Sequence, residues 1–360
     1  MHVLGRWRTW MVVAAALAAG LGVAQPARAL PWIYTPTPED GPAGEWLTSV
    51  SVRSHTDAWA VGSRAPETAI DQPVAVHWNG QAWSSVDVPP IARGGNLEAV
   101  SVIPGTGDAW AVGERFGVPT LGLILRWHAG TWTRVSSPWR AAQLYAVRAL
   151  PSGEAFAAGV SQRGRPLVLR YDGEAWHAEP GVGTLARDGI LRAIEPRSGH
   201  DVWAVGHRWV LGNPRPLLLH LGPGGWERVP APGDRPGFLR GITSVPGTRE
   251  MWAVGANIDP WKTMVMHYDG RQWARFRHPE PGGIGGGELH DVVAAGHSKA
   301  WAVGQGVTAA TLIWNGVEWR ETLTPRGQEA GLNGIARTPG TKETFAVGFR
   351  RGHTFAVYQH

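Results

Sequence analysis

Seven residues that share one place in a repeated pattern are chemically unlike one another. Thr48, Glu98, Tyr145, Arg192, Arg240, His290 and Asn333 each follow a leucine, at Leu47, Leu97, Leu144, Leu191, Leu239, Leu289 and Leu332. Two guanidinium groups beside a carboxyl, a phenol, an imidazole and an amide could form a ligand pocket, because a planar guanidinium grips a carboxylate through paired N–H bonds. The same side chains could instead bond to one another and channel water. Glu98, Tyr145 and His290 are also types that serve as acid, base or nucleophile. A polysaccharide-acting enzyme, of glycoside hydrolase or lyase type, with Arg192 and Arg240 holding substrate is therefore the alternative reading. His290 and Asp291 could pair as an acid/base couple, but no nucleophile is identifiable beside them.

A second set is found by subtraction. Fifteen of the 21 tryptophans recur at equivalent places in the repeat, where packing explains them. Trp7 and Trp10 lie in the N-terminal leader, which leaves Trp46, Trp139, Trp209 and Trp261. Trp46 and Trp139 are placed in links between repeat units, Trp209 and Trp261 in loops within a unit, and arginines such as Arg115, Arg140 and Arg208 share those loops. Exposed aromatics beside guanidinium groups suit sugar rings and anions. Alternatively these loops are long, solvated and arginine-rich through coding bias, with the rings folded over the surface.

The elements that position both sets come from a repeat. Asp57-Ala-Trp-Ala-Val-Gly62 returns at Asp108–Gly113, Asp201–Gly206 and Glu250–Gly255, with looser copies ending at Gly159, Gly304 and Gly348. Its central aromatics, Trp59, Trp110, Phe156, Trp203, Trp252, Trp301 and Phe345, are 44 to 51 residues apart. Each unit carries Leu-x-x-Val/Ile, a turn, the Trp-Ala-Val-Gly run, and a third apolar run such as Leu123-Ile-Leu-Arg-Trp127. A fourth run follows an Asn-Gly or Asp-Gly pair and opens on tryptophan, as at Asn79-Gly80 and Trp83. Such pairs are hairpin signals whose central positions favour positive φ. Four short strands per unit make an antiparallel sheet that cannot bury both faces alone, so the units pack radially as propeller blades. A linear solenoid competes but would need polar capping units.

The ends favour a ring. The seventh unit stops after its third strand, Phe355-Ala-Val-Tyr358, and Trp32-Ile-Tyr-Thr-Pro36 reads like the fourth strand opened by Trp132. The expectation is an all-β, seven-bladed β-propeller of four-stranded antiparallel blades. Its ring is closed by an N-terminal strand that completes the last blade and removes an exposed edge.

Residues 1–29 read as a signal peptide: Arg6 and Arg8 precede an apolar stretch from Met11 to Ala24, and Ala27-Arg28-Ala29 is a small-x-small cleavage site. An uncleaved anchor is the rival reading, weakened by an apolar run shorter than the roughly 20 residues of a membrane span. Residues 30–360 then form the single propeller domain. Export without cysteine fits a core that needs no covalent staples. Removing Arg6, Arg8 and Arg28 brings 34 basic residues to 31 against 29 acidic, a net +2. That is too near neutral for a nucleic-acid binder by charge alone.

The alternation of a Gly-ending strand with an aromatic-Asn/Asp-Gly-x-x-Trp hairpin resembles bacterial propellers of the kelch-like and sialidase-like (BNR) repeat type. Leu-x-x-Val followed by Trp-Ala-Val-Gly is similar to the propellers of photosystem II assembly factors. The likeness covers the whole chain after the leader, at the level of the blade. It departs from Asp-boxes, which carry a serine that no unit has, and from kelch repeats, whose Gly-Gly pair is a single glycine here. Arg192, Arg240, Tyr145 and Glu98 resemble in outline the way sialidases hold a carboxylated sugar, although sialidases have six blades.

The expected protein is an exported, monomeric binding propeller that recognises a glycan, anionic or neutral, or another exported protein. Recognition is expected on the loop face that carries Trp46, Trp139, Trp209, Trp261 and the arginines, with the channel mouth as the site of the alternative enzyme. It carries no metal-ligand cluster and no cofactor motif, and the glycine stretch Gly282–Gly287 leads into a strand rather than a phosphate-cradling helix.

Overall fold

The computed structural model describes residues 32–38, 44–65, 70–137, 142–233, 235–281, 286–322 and 329–359. Residues 1–29, Trp139 and Arg140 lie outside them. The described chain forms seven four-stranded antiparallel sheets with one short 3₁₀ turn, Val182–Thr184. Blade 1 shows the plan: Glu45–Ser54, Asp57–Arg64, Gln72–Trp78 and Trp83–Ser85 pair in sequence order. The inner strands of blades 2 to 7 are Gly95–Val102, Ala142–Ala149, Gly189–Ser198, Gly237–Ser244, Glu288–Gly296 and Ala330–Arg337.

Closure is as the sequence predicts. Ile33–Thr35 pairs with His353–Gln359 as the outer strand of blade 7, with Ile33 opposite Tyr358 and Thr35 opposite Ala356. Side chains fasten the same segment to both neighbouring blades. Trp32 donates to Thr322 of blade 6 at 3.3 Å, and Trp83 of blade 1 donates to Thr35 at 3.3 Å.

The repeated aromatics fill the spaces between blades. Trp59 of blade 1 packs against Trp127 and Trp132 of blade 2 at 4.6 and 5.1 Å, and Trp252 meets Trp314 and Trp319 of blade 6 at 5.1 Å each. Each blade presents one apolar face to its predecessor and the other to its successor, so neither face stays wet. That is why seven small sheets become one ring.

The Asn-Gly pairs turn the chain differently from the expectation. Gly80 takes φ +95°, but Asn79 does not take positive φ; its Oδ1 instead accepts the backbone N–H groups of Gln81 and Ala82 at 2.9 and 3.0 Å. Asp172, Asp269 and Asn315 do the same. The loop is four residues long, and the side chain satisfies donors that a two-residue turn would pair with backbone.

One distortion is common to all seven inner strands. Pairing with the second strand skips a residue directly after the repeat leucine, at Leu47/Ser49, Leu97/Ala99, Leu144/Ala146, Leu191/Ala193, Leu239/Gly241, Leu289/Asp291 and Leu332/Gly334. Each is a β-bulge. It presses the backbone carbonyl before the leucine onto the glycine of the Trp-Ala-Val-Gly run. A Cβ on Gly113 would lie 2.1 Å from Asn96 O, and on Gly159 1.8 Å from Gln143 O. The glycine is therefore a space requirement, since its φ is ordinary. Gly113→Ala is expected to cost about 3 kcal/mol through backbone displacement. Gly107→Ala, where the space is open, should cost little by comparison. Urea unfolding of the two variants checks this, and equal midpoints would show that the bulge tolerates a methyl group.

Candidate functional site

The residue skipped at each bulge is one of the seven that opened the sequence argument: Thr48, Glu98, Tyr145, Arg192, Arg240, His290 or Asn333. A bulge re-aims the side chain it carries, and here it turns seven of them to the axis of the ring. All seven line one cavity of about 280 Å³ at the mouth of the central channel. The next positions, Ser49, Ala99, Ala146 and Ala193, are small and form its neck.

Most of these side chains are committed to their neighbours. Thr48 Oγ1 donates to Leu97 O at 2.7 Å, and Asn333 Nδ2 donates to Leu47 O at 2.8 Å, joining adjacent blades. His290 bridges Asn333 Oδ1 at 3.0 Å and Glu288 Oε1 at 2.6 Å, and Arg240 donates to Glu288 Oε2 at 3.3 Å. Across the channel, Tyr145 donates to Gln143 Oε1 at 2.7 Å, Gln143 to Glu114 Oε2 at 2.6 Å, and Asn96 to both Glu114 and Glu98 at 3.2 and 3.1 Å. Tyr145 and Glu98 thus face one cavity but are joined only through three other side chains.

Arg192 differs from the rest. Its guanidinium lies over the Tyr145 ring, 4.0 Å from the centroid, and among the described residues it makes no hydrogen bond or ion pair. Glu98 has no cation within salt-bridge distance among them either. Burial pushes the Glu98 carboxyl above its usual range, with Arg192 pulling the other way and Glu114 adding to the rise. Burial likewise raises the Tyr145 phenol. Burial would also raise Glu288, but the hydrogen bond from His290 and the charge of Arg240 hold it below its ordinary value. Deeper in the neck Asp291 accepts N–H groups of Val292 and Ile335 at 2.9 and 3.0 Å, and burial pushes its carboxyl up.

The loop-face set divides. Trp46 is corrected: it is the second residue of the blade 1 inner strand and lines the channel mouth rather than an inter-blade link. The strand starts earlier than its leucine because Glu45 and Trp46 pair with Arg64 and Ser63. Trp209 and Trp261 are corrected too: they belong to the strands Asp201–Val210 and Trp261–Tyr268 rather than to loops, because pairing runs on to Pro214 and Ile258. Both are exposed, at 49% and 45%, on neighbouring blades 4 and 5. Arg115 and Arg208 stand away from the mouth at the tops of blades 2 and 4, Arg115 beside Arg134 in a separate cleft and Arg208 beside Arg215 and Arg228. Asn96 and Glu114 of the mouth network were not marked by the sequence, and neither were four other contributors. Glu288, Phe238, His207 and Gln143 occupy positions one before the leucine or one after the glycine, and nothing marked those positions as facing the mouth. Their variability from unit to unit was the usable signal.

The acids before the repeated aromatic are paired with basic side chains. Asp57 bonds His77 at 3.2 Å, Asp108 bonds Arg126 at 2.8 Å, Asp201 bonds His220 at 2.9 Å, and Glu154 pairs with Arg170. Each partner also covers the blade aromatic, as His220 covers Trp203 at 4.2 Å and Arg126 covers Trp110 at 5.4 Å. These acids hold cations and imidazoles over buried rings, which is a packing role.

No protein-family model and no curated protein matches the chain. Solved structures do. One described as "YCF48 bound to D1 peptide" has a TM-score of 0.61 at 16% identity, over 92% of this chain and 97% of that one. YCF48 from Cyanidioschyzon merolae gives 0.60 at 17%, over 91% and 98%. A structure of SapL1 lectin in complex with alpha methyl fucoside gives 0.53 at 12%, over 79% and 97%. These likenesses show the fold, and they bear out the resemblance to photosystem II assembly-factor propellers at blade level.

The enclosed carboxyl of Glu98 makes a pH prediction. Its pKa is higher in the folded than in the unfolded chain, so its contribution is most favourable below the unfolded value of 4.5 and is lost as pH rises through the folded value. Glu98→Gln should therefore raise the melting temperature at pH 7, and the gain should vanish near pH 3. A gain that persists at pH 3 would place its origin elsewhere.

Proposed function

We propose that this is a binding propeller whose ligand places a carboxylate in the channel mouth, against Arg192. The observation that carries this reading is the Arg192 guanidinium: stacked on Tyr145, inside a cavity, with no acceptor among the described residues. The guanidinium is partly screened from water and has no acceptor of its own, and a bidentate carboxylate from outside supplies one. Glu98, enclosed and without a cation, suits a hydroxyl of the same ligand. The ring of cross-blade bonds keeps the remaining polar groups in place, so the site is preorganised and little entropy is lost on binding. That solved propellers of the same shape include one holding a peptide and one holding a fucoside supports binding as the type of function.

The expected test is calorimetric titration with D-galacturonate and with D-galactose, which differ in the carboxylate. Galacturonate should bind and galactose should not, and Arg192→Ala should weaken galacturonate by about 2 kcal/mol, or roughly thirty-fold. Equal binding of the two sugars would sink the carboxylate reading.

We further propose that the chain acts outside the cytoplasm. The support is the leader of residues 1–29. Mass spectrometry of protein recovered from culture medium or envelope should find an N-terminus at Leu30; a cytoplasmic chain that retains Met1–Ala29 would refute it.

A further inference from the structure

One run of aromatic rings leads away from the mouth. Phe238 stands two residues before Arg240 in the blade 5 inner strand, and the Arg240 guanidinium lies 5.2 Å from its ring centroid. From Phe238 the rings continue on both sides. Trp261 is 5.9 Å away, while His207 is 6.2 Å away and itself 5.6 Å from Trp209. The outer two, Trp209 and Trp261, each keep nearly half their surface open to solvent. Two half-bare tryptophans at the ends of one contiguous ring array present a large apolar area on a polar surface.

The array stays uncharged at neutral pH. Burial, helped by the positive charges of Arg192 and Arg240, lowers His207 from 6.5 to about 4. A protonated ring between the tryptophans would break the apolar surface, and burial, with the mouth arginines assisting, keeps the ring neutral. The charges of the mouth thus help to keep its approach neutral.

The mouth itself is small. At about 280 Å³ it lies just below the roughly 300–1,000 Å³ of pockets that enclose drug-sized ligands, so anything much larger than one sugar residue must extend out of it. The ring array begins at Arg240 and is the apolar path outward from there. An extended peptide would gain most by adding a strand to a free sheet edge. At the mouth each inner strand is interrupted by its bulge, so no continuous ladder is available. A pyranose presents flat C–H faces to rings and hydroxyls to water, which suits rings that are half exposed.

We infer that the ligand is a linear acidic oligosaccharide, with its terminal uronate in the mouth and its following residues laid on Phe238, Trp209 and Trp261. This rests on the carboxylate reading of the mouth and assigns the ring array of blades 4 and 5 as its extension. The test is an immobilised series carrying galacturonate, glucuronate and mannuronate as monomers and linear tetramers, with neutral analogues and acidic tetrapeptides. The binders are wild type, the double variant Trp209→Ala/Trp261→Ala, and Arg192→Ala. At least one acidic tetramer should bind ten-fold or more tighter than its monomer. The double variant, with a melting temperature near wild type, should lose that advantage while its monomer affinity is unchanged, and Arg192→Ala should lose both. Monomers and tetramers binding alike would overturn the extension and leave the mouth standing. Preference for the peptides would overturn the glycan assignment. Failure of every acidic monomer and tetramer would overturn both readings together.

Discussion

The structure depends on one close contact made seven times. In each blade the carbonyl before the repeat leucine sits where the side chain of the facing residue would be, and only a glycine permits it. That contact is the inner-strand bulge seen from the other strand. It has two consequences at once. The leucine turns fully into the space between blades, where all seven are buried, and the next residue is left unpaired and aimed along the channel. Packing and site are therefore two sides of one backbone distortion. The Trp-Ala-Val-Gly run encodes the rim although no rim residue belongs to it.

The inner strands also face a hydrogen-bonding problem that sheets elsewhere do not. Each has a free edge toward the channel, and no strand of the next blade pairs with it. Side chains supply acceptors instead. Ser49 and Ser51 accept N–H groups of Val100 and Val102, Ser101 accepts that of Ala149, Glu195 that of Ser244, and Asp291 that of Ile335. These bonds step from one blade to the next in the same direction around the ring, which satisfies buried donors and stiffens the rim. Most mouth residues join this stitching. Arg192 does not: among the described residues its guanidinium has only the face of Tyr145 as a partner.

The repeat was legible because packing repeats. Blade number, strand order, the closing N-terminal strand and the packing tryptophans all follow from spacing and residue type, and each is present. The rim was legible for the same reason in reverse: positions that break a regular pattern have been released from packing. Of the four surplus tryptophans, Trp139 lies outside the described residues and the other three stand in strands rather than in links or loops. Trp46 looked like a link residue because the strand boundary was drawn at Leu47, yet pairing extends two residues further. Trp209 and Trp261 lie 52 residues apart in the chain and converge through Phe238 and His207. Neither of those bridging residues carried any mark of function.

What the sequence determined by itself was the ring: the glycine and the buried aromatic are local signals, the same physical demand repeated seven times, and Asn-Gly or Asp-Gly hairpins mark four of the units. What only the tertiary structure decided was which polar groups remain uncommitted. Glu98, Tyr145, Arg192 and His290 are equivalent by position, and nothing in the chain distinguishes Arg192 from Arg240. The difference arises because Glu288, 48 residues further on, reaches Arg240 while Arg192 finds only the face of Tyr145. Hydrogen-bond partnership is a property of side chains from different blades meeting at one axis, and spacing along a single chain does not contain it.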